Sequence, residues 1–467
     1  MDNKLHEECA VFAVNVNVPE AVGIVYNGLL GLQHRGQEGA GIAAYLDNRI
    51  VCHKDMGLVS EVFTADVLVE LPKSYSAVGH NRYSTTGTNV KENVGPFVTD
   101  FFTGRIATAH NGNIVNAKEL KELLMAQGLN FHATSDSEVI ASLIGYYIMK
   151  EGDSLKGIIK ATKQLKGAFS LIIMCGPNTL IAVRDPDGFR PLCIGKSSAG
   201  IAVASESCGL ESCGFTFERD IKAGEVVVIE NGQITHEAIE LDDKTPDCGL
   251  CIFEYVYFAR PDSTIDNLNV YESRINMGKI LAQEFPIDAD IVCGVPDSGL
   301  EAAIGYSEVS GIPLKQGFVK NRYIGRSFIY PTQHERENAV RLKLNPLSYN
   351  VKGKRVILVD DSIVRGTTSA KIVKAMREAG ATEVHMCISS PPFRHTCHYG
   401  TDIDSEENLI ANQMSIEKIG EKIGVDSLYY ISIKGLKTAC SKSGMAFCAH
   451  CFTGNGLKSA ASKHELA

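Results

Sequence analysis

The run Val356-Ile-Leu-Val-Asp-Asp-Ser-Ile-Val-Arg-Gly-Thr-Thr368 constrains the fold more than any other part of the chain. Four consecutive apolar residues, two of them valine, predict a strand buried in a parallel sheet. Asp360 and Asp361 follow at its C-terminal end. A short Gly/Thr loop comes next, then a helical pattern from Ser369 to Ala379 that stops at Gly380. Ligands of open α/β sheets bind beyond the carboxyl ends of the strands. A loop that opens a helix offers free backbone N–H groups to a phosphate. Asp360 and Asp361 therefore suit sugar hydroxyls or a magnesium ion, and the loop from Val364 to Thr368 suits a phosphate. Solvated aspartates on an ordinary turn are the alternative; the ordered coincidence of paired acids, Gly366 and two threonines weighs against it.

This run resembles the phosphoribosyl pyrophosphate (PRPP) loop of the type I phosphoribosyltransferases. The resemblance implies that Asp360 and Asp361 contact the ribose hydroxyls or Mg2+. It implies too that Ser362, Val364, Arg365, Gly366, Thr367 and Thr368 wrap the 5′-phosphate. Ile291-Val-Cys-Gly-Val-Pro-Asp-Ser-Gly299 is a second buried strand running into a Pro/Gly turn, similar to that family's pyrophosphate loop. Its turn amides and the Ser298 hydroxyl would hold pyrophosphate or its magnesium.

A chain of 467 residues predicts at least two domains, because single cores stop growing near ~250–300 residues. No apolar run approaches the ~20 residues that cross a bilayer, so a cytoplasmic protein without membrane contact is expected. The net charge of −9 argues against generic nucleic-acid binding. Fourteen cysteines are many for a compartment that disfavours disulfides, which points to a nucleophile or metal ligands. Cys52, Cys175, Cys193 and Cys293 sit in apolar runs and read as small core residues.

In the first half, Cys9 precedes the strand-like Ala-Val-Phe-Ala-Val. His34–Gly41, Gly79–Gly87, His110–Asn113 and Thr134–Glu138 follow as polar, glycine-bearing blocks between strand-like segments, the pattern of an active-site rim. Together these blocks resemble the class II glutamine amidotransferases, N-terminal-nucleophile hydrolases with an αββα core. The similarity runs from about Cys9 to Lys222. It implies removal of residues 1–8 as a propeptide, which frees the Cys9 α-amino group to act as base for its own thiol. An α-amino group has pKa ~7.7–8.0, suited to that task. By the same resemblance, Asn111 and the Gly112 amide form the oxyanion hole, Arg82 pairs with the glutamine α-carboxylate, and Asp136 takes the α-ammonium. Arg35 and Tyr83 close and order the pocket. Where that family writes Cys-Gly-Val-Phe-Gly, this chain has Cys9-Ala-Val-Phe-Ala13, which narrows the allowed backbone angles and raises the alternative of a weakened glutaminase.

The polar, acidic segment from about Asn231 to Asp247 marks the domain boundary, giving a glutaminase domain at 9–235 and a transferase domain at 248–455, with a tail at 456–467. The fold class is α/β: an αββα domain followed by a domain with a parallel sheet. A glutaminase joined to a PRPP-dependent transferase implies ammonia transfer from glutamine to PRPP, the first committed step of purine synthesis. Purine nucleotides would be its feedback inhibitors and the assembly a homotetramer. Lys320, Arg322, Arg326, Arg341 and Lys343 form a basic stretch in an acidic chain, and the resemblance makes it a loop that closes over PRPP. A PRPP-sensing regulator is a second reading; its DNA-binding module has no counterpart here.

Cys248-x-x-Cys251 and Cys448-x-x-Cys451 could be read as a zinc site, but their separation far exceeds a zinc ribbon's usual ~15–20 residues. One branch of the resembled amidotransferases carries a [4Fe–4S] cluster. Its ligand positions match Cys251 in front of an expected Tyr-rich strand, Cys397 in Arg-His-Thr-Cys-His-Tyr-Gly, and Cys448 and Cys451. Cys248 and Cys251 remain alternatives for one of these positions.

Overall fold

The computed structural model describes residues 9–47, 49–83, 89–102, 104–244, 248–321, 344–401, 403 and 405–455. The 1–8 segment, Arg322, Arg326, Arg341, Lys343 and the tail 456–467 lie outside these. Among the described residues, no helix is long and apolar enough to cross a membrane.

The first half is two antiparallel sheets face to face. One has seven strands in the order Thr216–Asp220, Cys193–Ser197, Gly200–Ala204, Ala10–Val16, Ser76–Arg82, Gly39–Leu46 and Arg49–Met56. The other has six, in the order Gln233–Ile239, Glu225–Glu230, Thr179–Arg184, Gly167–Gly176, Gly104–Ile114 and Phe97–Phe101. Side chains alternate between faces along a strand. Val11, Ala13, Val78, Ala107 and Ala109 therefore meet between the sheets, while Phe12 and Val14 turn outward onto helix Ala21–Gly31. Helix Asp136–Glu151 covers the second sheet through Ile140, Leu143 and Ile144. The result is the expected αββα layering.

Two sequence expectations shift here. Gly79–Arg82 and His110–Asn113, read as lying between strands, are the ends of strands Ser76–Arg82 and Gly104–Ile114. Buried strand ends carry polar side chains wherever those point into a cleft. Strand Gln233–Ile239 pairs with Glu225–Glu230, and Leu241 joins the core behind it, so this sheet continues past residue 235.

Ala10 and Ala13 occupy regular strand positions, Ala10 opposite Asn81 and Ala13 opposite Val78 and Val203. Neither has positive φ. The backbone here therefore suits alanine, which removes the conformational ground for a weakened nucleophile strand.

The second half holds a four-stranded parallel sheet in the order Ile291–Gly294, Arg355–Asp360, Glu383–Ile388 and Ser427–Tyr430. Val356 to Val359 are fully buried in the central strand. Helix Thr367–Glu378 starts two residues before the expected Ser369. Its N-cap, Gly366, has φ +79, where a Cβ would lie 2.7 Å from Ile410 Cδ1; only glycine turns the chain this tightly. The Tyr-rich segment is not a strand. Glu254–Phe258 forms a single π-helical turn, closed by Ala259 N donating to the Glu254 carbonyl at 3.1 Å. The strand expectation fails here: Glu254, Tyr255, Val256 and Phe258 are all buried within the turn. Of the four cysteines read as core residues, Cys193 and Cys293 are buried, and Cys52 and Cys175 are half-buried.

The hairpin Thr264–Ile265/Leu268–Asn269 reaches back to the first half. At its turn, Asp266 accepts two hydrogen bonds from the buried Arg184 guanidinium, at 3.0 and 2.9 Å. Removing one partner of a buried pair strands the other charge at a cost of ~3–5 kcal/mol. Asp266→Ala should lower unfolding stability by about this amount; an unchanged denaturation midpoint would show that the pair does not join the halves.

Candidate active site

Strand alternation brings the first-half candidates together. Cys9 continues the inward series Val11 and Ala13, Asn111 continues Ala107 and Ala109, and His80 and Arg82 continue Val78. All four thus sit at one end of the cleft between the sheets. The Cys9 thiol contacts the Tyr83 backbone, with Sγ 3.4 Å from its carbonyl oxygen and 3.5 Å from its N–H. It is the Tyr83 main chain that makes this contact. Asn111 is buried, and neither its Oδ1 nor its Nδ2 has a hydrogen-bond partner. A buried amide left without partners carries a desolvation cost, and its donor is available to a bound group. Gly112, at φ +136, lies so close to Ala168 that a Cβ would meet that carbonyl oxygen at 2.2 Å.

Neighbouring groups hold this arrangement. Arg82 Nη1 donates to the Asn93 carbonyl at 2.6 Å. His80 Nε2 donates to the His110 carbonyl at 3.0 Å, tying the two sheets together. Burial, with Arg82 beside it, pushes the His80 imidazole down to about 3, so it stays neutral. Asp136 is the first residue of helix Asp136–Glu151, and its Oδ2 accepts the Ile114 N–H at 3.0 Å.

Arg35 lies behind Cys9 and not at a pocket rim. Its Nε is 3.4 Å from the Cys9 carbonyl oxygen, Nη1 donates to Glu206 at 2.6 Å, and the fork Nη1/Nη2 donates to Glu254 at 3.0 and 2.8 Å. His34 and the Ser263 hydroxyl also meet Glu206, at 2.8 and 2.6 Å. Arg190 Nη1 lies 3.4 Å from Glu254. Arg35, Arg190, Glu206 and Glu254 are all fully buried or nearly so. Burial alone would raise the Glu206 carboxyl; the His34 and Arg35 charges hold it well below the usual carboxylate range. Among the described residues, His34, Glu206 and Cys208 are the one set whose ligand atoms converge as a metal would need. The Arg35 cation on the same Glu206 oxygen makes that point unsuitable for a second cation. Sequence reading missed Glu206, Glu254 and Arg190. Their one signal is a charged residue set in an apolar run, as in Ile201-Ala-Val-Ala-Ser-Glu206.

In the second half, Asp360 and Asp361 stand at the C-terminal end of the central strand, both buried. The Ser298 hydroxyl hydrogen-bonds the Asp361 carboxylate, and so does that of Ser362. The loop after strand Ile291–Gly294 and the loop after strand Arg355–Asp360 therefore meet at one carboxylate, as their motifs require. Gly299 permits this approach, since a Cβ there would lie 2.3 Å from the Val359 carbonyl oxygen. Thr367 and Thr368 open helix Thr367–Glu378, where the first-turn amides have no intrahelical partner. The Val364 side chain is core, and its carbonyl accepts from Ile410 N at 2.9 Å; Arg365 beside it is half-buried. Lys320 pairs with Asp297 of the Ser298 turn. The donors around Asp361 are all oxygen, the set that Mg2+ prefers.

The cysteine segments also converge. Leu250–Cys251 and Phe447–Cys448 form a parallel pair with Cys251 opposite Cys448. Burial raises the Cys451 thiol well above its ordinary value, and so does the nearness of Cys251, Cys397 and Cys448. Cys248 lies in a buried cluster with Phe189 and Tyr399 against which Cys397 and Cys448 pack, and its nearness contributes to raising the Cys448 thiol. A tetrahedral zinc site, with Zn–S ~2.3 Å, would hold its sulfurs within ~4 Å of one another. No three of these sulfurs lie within 4.8 Å of one another. The donor set is all thiol, of the kind that holds iron–sulfur clusters, and is spread more widely than one zinc ion needs.

Comparison with known proteins agrees with both halves. A glutamine amidotransferase domain matches residues 80–212, and a phosphoribosyl transferase domain matches residues 269–408. The chain is 49% identical to an amidophosphoribosyltransferase of Synechocystis, over 97% of this chain and 91% of that protein. It is 46% identical to one of Methanocaldococcus jannaschii, over 96% and 97%. Among solved structures, the glutamine PRPP amidotransferase of Bacillus subtilis complexed with ADP and GMP superposes with a TM-score of 0.86 at 44% identity, covering 96% of this chain and 97% of that one. With a thiol at the end of an αββα cleft, an acidic loop beyond a parallel sheet, and this similarity over nearly the whole length of both, the chain belongs to the amidophosphoribosyltransferase family.

Proposed function

We propose that the two clefts run the two halves of one reaction: glutamine, PRPP and water give 5-phosphoribosylamine, glutamate and pyrophosphate, the first step of purine synthesis. The observation that carries this reading is the coexistence in one chain of the Cys9–Asn111 cleft and the Ser298–Asp361 contact between two strand-end loops.

In the first cleft the Cys9 sulfur attacks the side-chain amide carbon of glutamine. Its proton passes to the Cys9 α-amino group, which becomes available once residues 1–8 are removed. The carbonyl oxygen becomes an oxyanion, for which Asn111 Nδ2 and the Gly112 N–H are the donors; such donors supply the largest single contribution in many acyl transfers. Ammonia leaves with a proton from the α-ammonium, and water then hydrolyses the Cys9 thioester to glutamate. Arg82 binds the substrate α-carboxylate and Asp136 its α-ammonium. Arg35, through the Cys9 carbonyl, fixes the start of the nucleophile strand, and Tyr83 orders the mouth of the pocket.

Ammonia passes internally to the second cleft and displaces pyrophosphate from C1 of PRPP. Asp360 and Asp361 hold the ribose hydroxyls, and the 362–368 loop with the first turn of its helix holds the 5′-phosphate. Ser298 and Lys320 face the pyrophosphate; Arg322 and Lys343, which lie outside the described residues, are assigned to bind the same substrate. Mg2+ held by Ser298, Asp360 and Asp361 would neutralise pyrophosphate charge. Cys251, Cys397, Cys448 and Cys451 would hold a [4Fe–4S] cluster, a structural group here because neither half-reaction moves electrons. A first domain that runs through Leu241, a second at 248–455, cytoplasmic location, a homotetramer and purine-nucleotide inhibition complete this reading. The nucleotides of the similar B. subtilis structure support the last of these.

Cys9→Ser should abolish glutamine-dependent turnover and spare synthesis from ammonia. Asn111→Ala should cut the glutamine-dependent kcat by ~10²–10³. Equal loss of both activities in Cys9→Ser would overturn the two-site scheme. Asp361→Asn should weaken use of PRPP by roughly tenfold to a hundredfold, the worth of one charged contact, and leave basal glutamine hydrolysis intact. Unaltered PRPP kinetics would refute the loop assignment. Intact-mass measurement of active enzyme should find Cys9 as its first residue, and residues 1–8 still attached would contradict the base assignment.

A further inference from the structure

The second domain touches the peptide that follows Asn111. Asn113 directly follows Gly112, and its Nδ2 donates to the His398 carbonyl at 2.9 Å, across 285 positions of sequence. Gly400, at φ +108, faces the same peptide. A Cβ there would lie 3.2 Å from the Gly112 carbonyl carbon and 3.4 Å from Asn113 N. Gly112 itself abuts the Ala168 carbonyl. The Gly112–Asn113 peptide is thus clasped between two backbones, one from each half of the chain. The clasp is anchored firmly: Arg190 Nη2 donates to the Tyr399 carbonyl at 2.7 Å, and the Phe189 and Tyr399 rings stack at 4.3 Å.

We propose that His398 and Gly400 are positioning residues for the glutaminase: they set the Gly112–Asn113 peptide, and through it the orientation of the Asn111 amide and the Gly112 N–H. Oxyanion donors act only when held near 2.7–3.1 Å from the developing charge, and a supporting contact loosened by an ångström weakens them. The device makes hydrolysis of glutamine depend on correct docking of the domain that consumes the ammonia. Cys397 belongs to the same segment, with Tyr399 N donating to its sulfur at 3.3 Å, so order in the cysteine site and order in the oxyanion peptide are mechanically joined. The inference rests on the oxyanion assignment of Asn111 and Gly112.

The test compares Gly400→Ala, Asn113→Ala and Asn111→Ala in the full-length protein, measuring glutamate release and PRPP-dependent synthesis from ammonia. Gly400→Ala adds a methyl group against the Gly112 carbonyl, and Asn113→Ala removes the His398 bond without adding bulk, so it answers the question should the first variant fold poorly. Both should lower the glutamine-dependent kcat by roughly tenfold or more, with glutamine KM changed far less and ammonia-dependent synthesis retained. A wild-type glutamine kcat in both, or an equal fall of the two activities, would overturn the proposal. Loss in Asn111→Ala without loss in the other two would overturn the positioning role alone. No loss in Asn111→Ala would overturn the oxyanion assignment beneath it.

Discussion

Two arginines and two glutamates, closed off from water at the junction of the halves, are the constraint on which the rest depends. Arg35 is gripped by Glu206 from its own domain and by Glu254 from the other, and Arg190 meets Glu254 from the side. Buried charges are expensive unless each is paired and fully hydrogen-bonded. Here the guanidinium fork of Arg35 satisfies both oxygens of Glu254, and the second oxygen of Glu206 accepts from Ser263 and from Arg260 N. Such a network adds little net stability over an apolar replacement, but losing any one member strands a buried charge, which favours the observed geometry. That geometry places the start of the nucleophile strand and the first turn of the transferase domain in a fixed relation.

The π-helical turn at Glu254–Phe258 follows from the same demand. Its side chains serve three surroundings at once: Glu254 faces the arginines, Phe253 and Phe258 pack edge-to-face at 5.1 Å, and the Tyr255 hydroxyl donates to the Ile265 carbonyl at 2.7 Å. Neither a strand nor an α-turn would distribute them so. The interface is therefore built from polar anchors with aromatic filling between them, and the Arg184–Asp266 pair fastens its far edge.

Chemically, the two clefts differ in how charge is managed. The cleft between the sheets keeps His80 neutral by burial and, among the described residues, leaves the buried Asn111 amide unpartnered. The loops of the parallel sheet gather the carboxylates of Asp360 and Asp361 and the hydroxyls of Ser298 and Ser362 at strand ends, next to the start of helix Thr367–Glu378.

Much of this was readable along the chain. Strand Arg355–Asp360, its acidic end and the loop after it were legible because strand, turn and helix signals are local, as was the strand that follows Cys9, whereas 79–82 and 110–113 read as lying between strands and are strand ends. The sequence by itself determined the parallel-sheet strand and its acidic turn, which depend on periodicity and residue type within short windows, and its motifs carried the resemblance that implied the αββα domain and the order of the two domains. Only the tertiary structure decided that Arg35 sits behind Cys9, that Glu206 and Glu254 receive it, that Cys248 joins the other cysteines, and that Gly400 lies against Gly112. The Arg35–Glu254 and Gly400–Gly112 contacts are set by how the two halves dock, and the others by packing within one half between segments apart in sequence, so no local pattern encodes any of them.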